Sequence, residues 1–148
     1  MFQKLTLPKY DFNLKTEDGS TYIFDIIRKK HVVLTPEEWV RQHIVHFLIH
    51  EKHYPAAWME IEKGLSYNKM NKRADIICND RTGKPFLLVE CKAASVTINQ
   101  SVFEQIARYN FELQVPYLLV SNGLEHVCCK MNYKDRSYSF LKNIPDFL

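Results

Sequence analysis

The chain has 148 residues, 46% of them hydrophobic and 25% charged, which predicts one globular domain, residues 1 to 148, around a single core. Its formal net charge of +3 permits a nucleic-acid partner but does not require one. No apolar run is long enough to span a bilayer and the N-terminus shows no signal-peptide pattern, so we expect a cytoplasmic protein with no membrane partner. The four cysteines lack CxxC spacing, which predicts reduced core thiols and excludes a recognisable zinc site.

The first 20 residues show little pattern apart from a turn at residues 17 to 20. A strand is predicted over residues 21 to 27, and a short apolar piece follows at residues 31 to 34. The basic residues 28 to 30 between them favour a solvated turn over a contact with a DNA backbone.

The best-marked element is a helix that begins after Thr35. Thr35 is a natural N-cap, Pro36 suits the first helical position, and Glu38 completes a capping box. The apolar stripe of this helix consists of Val40, Ile44, Phe47 and Leu48. At about 100° per residue, Glu37 projects near the middle of that stripe and Glu38 lies off it. We therefore expect Glu37 to point inward and Glu38 to cap the helix, although compensation of the helix dipole would account for both acids without a ligand.

Four histidines lie on the side of this helix away from the stripe: His43, His46, His50 and His53. Their spacing suits metal ligands, but nothing near them in the sequence completes a ligand set. We expect an exposed or partner-facing surface here.

A strand is predicted over residues 56 to 62, with Glu60 and Glu62 on one face. Residues 63 to 73 are a basic, loop-like stretch directly before Asp75. Its last residues, Lys72 and Arg73, would hold nucleic-acid phosphates beside that carboxylate, and a solvated loop is the alternative.

Three charged residues stand at one end of a predicted hairpin. Asp75 opens an apolar run, turn-forming residues 79 to 85 follow, and a second apolar run ends in Glu90-Cys91-Lys92. Because side chains alternate along a strand, Glu90 and Lys92 share one face. If Asp75 lies at the same end of its strand, two carboxylates and one ammonium group converge. Such a cluster is costly unless something binds between the carboxylates, and hard divalent cations prefer oxygen ligands of this kind.

A second helix is predicted after residue 100, with a capping box at Ser101 and Glu104. Gln105 and Tyr109 are one turn apart and point the same way, and Arg108 would contact phosphate or solvent. A strand at residues 116 to 120, an Asn-Gly turn and a return strand at residues 124 to 130 follow. The order strand, helix, strand predicts a crossover and a mixed sheet.

These residues resemble the PD-(D/E)xK nuclease signature in its RecB-like form: Asp75, then Glu90-x-Lys92 after 14 intervening residues, then Gln105-x-x-x-Tyr109 on the following helix. Longer segments are similar to the N-terminal nuclease-like domain of type I restriction enzyme R subunits, in its short stand-alone version. They lie at residues 34 to 42, 72 to 75, 89 to 92, 105 to 110 and 121 to 123. The resemblance spans about residues 24 to 131. Ala74 replaces the proline of the nominal motif, which is not a ligand.

The resemblance implies a restriction-endonuclease-like α/β (α+β) fold, with a mixed central sheet flanked by helices. It implies a metal-dependent DNA endonuclease of the restriction or repair type that leaves a 5′-phosphate and a 3′-hydroxyl. Mg²⁺ or Mn²⁺ would be held by Asp75, Glu90, the main-chain carbonyl of Cys91, and Glu37 with Glu38 as its alternative. Lys92 would orient the attacking water, and Gln105 with Tyr109 would place Lys92 or the substrate.

The sequence has no GxxxxGK[ST] phosphate loop, so we expect no ATP-driven activity from this chain by itself. It would cut DNA alone, as a homodimer or other oligomer, or with partner subunits. Nothing in the sequence specifies a target. The second hypothesis is a non-catalytic module that retains the nuclease fold and binds nucleic acid or protein.

Overall fold

The computed structural model describes residues 2–67 and 70–147, and the side chains of residues 63–73 are outside the description. Within the described residues, two α-helices accompany two sheets, one of three strands and one of six. The elements in chain order are β1 (Leu14–Glu17), β2 (Ser20–Asp25), β3 (Lys30–Val33), α1 (Pro36–His50), a 3₁₀ turn (Ala56–Trp58), β4 (Met59–Tyr67), β5 (Met70–Asn79), β6 (Pro85–Cys91), α2 (Gln100–Leu113), β7 (Tyr117–Ser121), β8 (His126–Asn132) and β9 (Ser137–Leu141).

The strands of the large sheet lie in chain order, from β4 at one edge to β9 at the other. Neighbouring strands are antiparallel except β6 and β7, which are parallel. Parallel neighbours require a crossover, and α2 supplies it by carrying the chain back across the sheet. The mixed sheet expected from the sequence is therefore confirmed.

The two helices cover opposite faces of this sheet. Alternate residues of β5, β6 and β7 point to opposite faces. Because both faces are covered, residues 76–78, 86–89 and 117–120 of these strands are all apolar. The α1 face buries Ile76, Leu87 and Leu119, and the α2 face buries Ile77, Leu88 and Leu118. Each such side chain contributes about 1.5–3 kcal/mol when fully buried. The flanked central sheet expected from the sequence is what the structure shows.

Three predicted element limits are wrong. The predicted loop is wrong for residues 63–67, which belong to β4, and for residues 70–73, which belong to β5. Residues 68 and 69 lie outside the described residues. The strand predicted from residue 56 begins at Met59, after the 3₁₀ turn. α2 is capped by Asn99, whose Oδ1 accepts the Val102 N–H at 2.8 Å, and not by a box at Ser101 and Glu104. Ladder bonds join backbone groups whatever the side chains are, so a polar segment forms a strand wherever a neighbour pairs with it.

The histidine side of α1 is covered by the N-terminal segment, residues 2 to 12. The Phe12 ring lies 4.8 Å from the His43 ring, and the Tyr10 ring stacks at 5.8 Å on His50. His43 is only 5% exposed, and its Nδ1 donates to the Trp39 carbonyl at 2.8 Å. The exposed surface predicted here is therefore wrong for His43. Helical periodicity cannot reveal a cover that comes from a distant part of the chain.

We expect the free energy of unfolding to fall as the pH drops from about 7.5 to about 5.5. Burial lowers the pKa of His43, His46 and His126 below its usual value, and the neighbouring histidines lower that of His46 further. The unfolded chain then binds protons as the pH falls through about 6.5, before the folded chain does, so stability rises with pH in this window. Urea unfolding at the two pH values measures the effect. The free energy of unfolding of His43→Gln should depend less on pH. An unfolding free energy of the unaltered chain that does not change between the two pH values would contradict the prediction.

The N-terminal segment is also fastened to the turn between β7 and β8. The Thr6 amide donates to the Gly123 carbonyl at 2.9 Å, and the Thr6 hydroxyl is 3.0 Å from His126 Nε2. Leu5 is buried in the core and packs directly on Gly123. The predicted Asn-Gly turn is confirmed, because Asn122 Oδ1 accepts the following amides and Gly123 has a φ of +85°.

Gly123→Ala should destabilise the fold by about 1–3 kcal/mol, because it adds both backbone strain and a steric clash. A Cβ at Gly123 would lie 2.7 Å from Leu5 Cδ2. Gly83 is the matched control, since its φ is also +85° but a Cβ added there would have nothing within 4 Å. Urea unfolding of both variants separates the two costs. If Gly123→Ala and Gly83→Ala lowered the free energy of unfolding equally, the Leu5 side chain would be able to move aside without a measurable cost.

In the described part of the chain, neither helix combines the length and the apolar character needed to cross a bilayer.

Candidate functional site

Three carboxylates lie at one level of three adjacent strands. The pairs Ile61 with Ile76 and Lys63 with Ala74 put Glu62 level with Asp75. Continuing the pairing of Ile76 with Val89 by one residue puts Asp75 level with Glu90. Glu62 has a left-handed backbone with a φ of 52°. Among the described strands, Asp75 belongs to no regular ladder pair. The sheet is therefore irregular where the acids meet, which is common near functional sites.

Asp75 is held through both of its carboxylate oxygens. Oδ2 accepts the Cys91 amide N–H at 2.7 Å, and Oδ1 accepts from Arg41 Nη2 at 3.1 Å. Lys92 Nζ lies 3.8 Å from Glu90 Oε1, and the Lys92 side chain is one-third exposed. The Lys92 amide donates to the Ser121 carbonyl at 2.8 Å, which keeps the end of β6 against β7. The structure thus brings Asp75, Glu90 and Lys92 to the same end of the hairpin.

Arg41 is the central cation of this cluster, and the sequence interpretation missed it. Its side chain is 4% exposed. Nη1 lies 2.7 Å from Glu38 Oε1 and 3.3 Å from Glu62 Oε1, while Nη2 lies 3.0 Å from Glu37 Oε1 and 3.1 Å from Asp75 Oδ1. Burial alone would lower the pKa of Arg41, but the charges of Glu38 and Asp75 outweigh it and raise that pKa, so the guanidinium stays charged.

The orientations predicted for Glu37 and Glu38 are wrong. Glu38 is only 6% exposed, whereas the Glu37 side chain is 49% exposed. Thr35 does cap the helix, since its hydroxyl accepts the Glu38 amide at 3.0 Å. The Glu38 carboxylate instead accepts hydrogen bonds from Arg28, Arg41 and Gln42. The apolar stripe misled the prediction because the first turn of α1 packs against polar partners, which a hydrophobic pattern does not register.

Glu37 nevertheless faces the cluster. Burial raises its pKa first, and the Asp75 charge raises it further, while Arg41 and Lys92 oppose both effects. Glu37 and Asp75 also lie at hydrogen-bond distance from the same nitrogen, Arg41 Nη2, so the two carboxylates are close together.

A buried polar network supports the cluster from behind. The Asp25 carboxylate is fully buried and accepts from the Arg28 side chain at 2.6 Å and from Gln42 Nε2 at 3.0 Å. Arg28 Nη2 also donates to Glu38 at 2.9 Å. The spacing of Arg41 three and four residues after the two acids was a readable signal for ion pairing on a helix. Asp25 and Arg28 carry no such signal, because only folding brings β2 beside α1.

The donor chemistry of the cluster suits a hard divalent cation. Six carboxylates face three basic groups among the described side chains: Asp25, Glu37, Glu38, Glu62, Asp75 and Glu90 against Arg28, Arg41 and Lys92. A cation bound between neighbouring carboxylates relieves their mutual repulsion. In the described part of the chain, however, no three acidic, histidine or cysteine side chains surround a common point as metal ligands do. The guanidinium of Arg41 stands between the carboxylates instead.

The residues expected on α2 line a separate cavity of about 300 Å³, which is formed by Gln105, Arg108, Tyr109 and Glu112. Asp75, Glu90 and Lys92 are not among its described lining residues. The side chains of Lys72 and Arg73 lie outside the described residues, so their predicted phosphate contacts stay predictions.

A second cavity, of about 450 Å³, opens between the start of α1 and the loop after β6. It is lined by Phe2, Gln3, Pro36, Trp39, Ala94 and Ser95. Two of these residues are near the cluster along the chain, because Pro36 adjoins Glu37 and Ala94 follows Lys92 by two residues.

A six-stranded mixed sheet between two helices, with acids and a lysine at the end of a central hairpin, defines a mixed α/β domain. Among solved structures, the chain is similar to a fragment of a putative HsdR subunit of a type I restriction enzyme from Vibrio vulnificus YJ016. The TM-score is 0.54 at 17% sequence identity, and the match covers 76% of this chain and 24% of that chain. This chain therefore corresponds to about a quarter of the Vibrio chain's length.

Residues 36–145 match the family model described as type I restriction enzyme R protein N terminus (HSDR_N). The chain belongs to this family, and the resemblance noted from the sequence is confirmed. A search of curated proteins found no significant match.

Proposed function

We propose that this chain is a metal-dependent DNA endonuclease whose residues 1 to 148 form one PD-(D/E)xK domain of the restriction-endonuclease-like fold. The observation that carries the proposal is the position of Asp75, Glu90 and Lys92 at one end of the β5–β6 hairpin, with Glu37 facing them from α1. Membership of a restriction enzyme family supports the choice of DNA as substrate.

Asp75, Glu90, Glu37 and the Cys91 carbonyl would hold Mg²⁺ or Mn²⁺. The bound ion would polarise the scissile phosphate and lower the pKa of a coordinated water. Lys92 is near the carboxylates and partly exposed, so its ammonium group would orient the water and stabilise the phosphate charge. We favour Glu37 over Glu38 as the ligand from α1, because the Glu38 carboxylate already accepts hydrogen bonds from three donors.

The residues on α2 would act on the substrate rather than on the ion. Gln105 and Tyr109 line one cavity with Arg108, and a nucleic-acid strand passing along it would meet amide, phenol and guanidinium groups. Arg108, Lys72 and Arg73 would contact phosphates, which gives affinity without sequence preference.

Partner chains are part of the proposal, because this chain corresponds to only about a quarter of the Vibrio chain that it matches. A homodimer or a complex with other restriction subunits would supply DNA recognition. The 148 residues contain no phosphate loop, so an ATP-driven step would be carried out outside these residues.

One observation favours a second candidate, a non-catalytic module that binds nucleic acid or protein. Arg41 Nη2 contacts Glu37 and Asp75 together, so the cluster is partly neutralised without a metal. A protein that had lost catalysis would tolerate such a permanent contact.

Cleavage of supercoiled, linear and branched DNA with Mg²⁺, Mn²⁺ or EDTA decides between the two candidates. We expect cutting with metal and none with EDTA. Asp75→Asn is the control for a contaminating nuclease, because it keeps the side-chain size and an acceptor for the Cys91 amide. Binding of DNA by both proteins without any cutting would favour the second candidate.

A further inference from the structure

One nitrogen of Arg41 is shared by two of the proposed metal ligands. Nη2 donates to Glu37 Oε1 at 3.0 Å and to Asp75 Oδ1 at 3.1 Å. The remaining Asp75 oxygen accepts the Cys91 amide. Both oxygens of Asp75 are therefore engaged before any ion arrives.

We infer that Arg41 is the resident counter-cation of the carboxylate cluster, and that a divalent metal ion must displace its Nη2 nitrogen from Glu37 and Asp75. The inference rests on the proposed function, because it concerns the same site. It makes Arg41 a positioning residue that lowers the metal affinity of the free protein.

The other contacts of Arg41 allow it to stay in place when Nη2 is released. Nη1 remains paired with Glu38 at 2.7 Å and lies 3.3 Å from Glu62. Nε is buried without a hydrogen-bond partner. The guanidinium is thus held only by its two terminal nitrogens, and Nη1 alone anchors it to carboxylates that the metal does not use.

The sign of the effect follows from charge. A guanidinium at hydrogen-bond distance from two ligand oxygens repels an approaching divalent cation and competes for those oxygens. If Arg41 were instead a scaffold that prepares the ligands for the metal, its removal would weaken metal binding. The two roles therefore predict opposite changes in affinity.

Measurements of Mn²⁺ binding to the full chain test this difference. Calorimetry gives the affinity, and the electron paramagnetic resonance signal of free Mn²⁺ gives it independently. The variant Arg41→Gln with Glu38→Gln removes one positive and one negative charge together, so the net charge is unchanged. We expect it to bind Mn²⁺ at least about tenfold more tightly than the unaltered chain, or about 1.4 kcal/mol. Mn²⁺ should also raise the melting temperature of the double variant more than it raises the melting temperature of the unaltered chain.

Glu38→Gln alone is the matched control, because it keeps Arg41 on Glu37 and Asp75, and its affinity should not increase. Arg41→Met with Glu38→Gln gives the same readout if the first double variant does not fold, as judged by circular dichroism. Double variants that bind Mn²⁺ no more tightly than Glu38→Gln would overturn the role of Arg41 and leave the proposed function standing. Failure of every protein to bind Mn²⁺ would overturn both.

Discussion

Replacing Lys92 with alanine is expected to slow metal-dependent DNA cleavage by about 10²–10³-fold, the usual cost of removing one group that stabilises developing charge. The ammonium group is 3.8 Å from Glu90 and its side chain is one-third exposed, so it can reach a phosphate held at the carboxylates. The measurement is the single-turnover rate with Mg²⁺ or Mn²⁺, compared with DNA affinity in Ca²⁺. The rate should fall far more than the affinity, because Lys92 is one cation among several near the site.

Lys130→Ala is the matched control for Lys92→Ala. Lys130 is an exposed lysine on β8, so its removal lowers the net charge equally without touching the cluster. We expect its cleavage rate to stay within about threefold of the unaltered chain, as for most surface substitutions. Equal rates for Lys92→Ala and Lys130→Ala would remove Lys92 from the catalytic assignment.

Asp25→Ala is expected to lower the free energy of unfolding by about 3–5 kcal/mol, because it breaks a buried ion pair and leaves several hydrogen-bond donors without their acceptor. The carboxylate is fully buried and accepts from the Ile27 amide at 2.7 Å, the Arg28 amide at 2.9 Å and the Arg28 side chain at 2.6 Å. Gln42 loses an acceptor as well. Urea unfolding measures the loss, and Asp11→Ala, at an exposed position, should change stability little.

The Asp25 carboxylate also makes the free energy of unfolding depend on pH in the acidic range. Burial alone would raise the pKa of Asp25, but the hydrogen bonds and charge of Arg28, with the Ile27 amide, outweigh burial and lower it. This contribution is complete above the unfolded value of about 3.9 and is lost as the pH falls through the folded value. Asp25→Asn should therefore flatten the unfolding profile below about pH 4 while leaving the histidine-dependent change near neutral pH. If the pH dependence of the unfolding free energy below about pH 4 were the same in Asp25→Asn, other carboxylates would be responsible for it.

The candidate site was predictable where it depends on local pattern. Turn residues between two apolar runs predict the β5–β6 hairpin, and alternation along β6 puts Glu90 and Lys92 on one face. Thr35 was recognisable as a helix cap because capping is made within one turn. The family was recognisable because the charged residues keep their order and spacing along the chain.

The predictions that were wrong concern residues whose surroundings are formed by distant parts of the chain. The inward orientation assigned to Glu37 was wrong because Glu38 is drawn inward by Arg28, which belongs to the segment after β2. The exposed surface assigned to His43 was wrong because the N-terminal segment covers it. The loop assigned to residues 63–67 and 70–73 was wrong because pairing of β4 with β5 satisfies the backbone hydrogen bonds of these residues.

Sequence alone therefore determined the family, the two helices, the mixed sheet and the hairpin that carries Asp75, Glu90 and Lys92, since each is encoded by periodicity, caps or spacing over a few turns. Only the tertiary structure decided that Arg41 lies among the carboxylates and that Glu38 is buried with Asp25 and Arg28. A buried charge is tolerated only with partners, and those partners come from separate elements that meet when the chain folds.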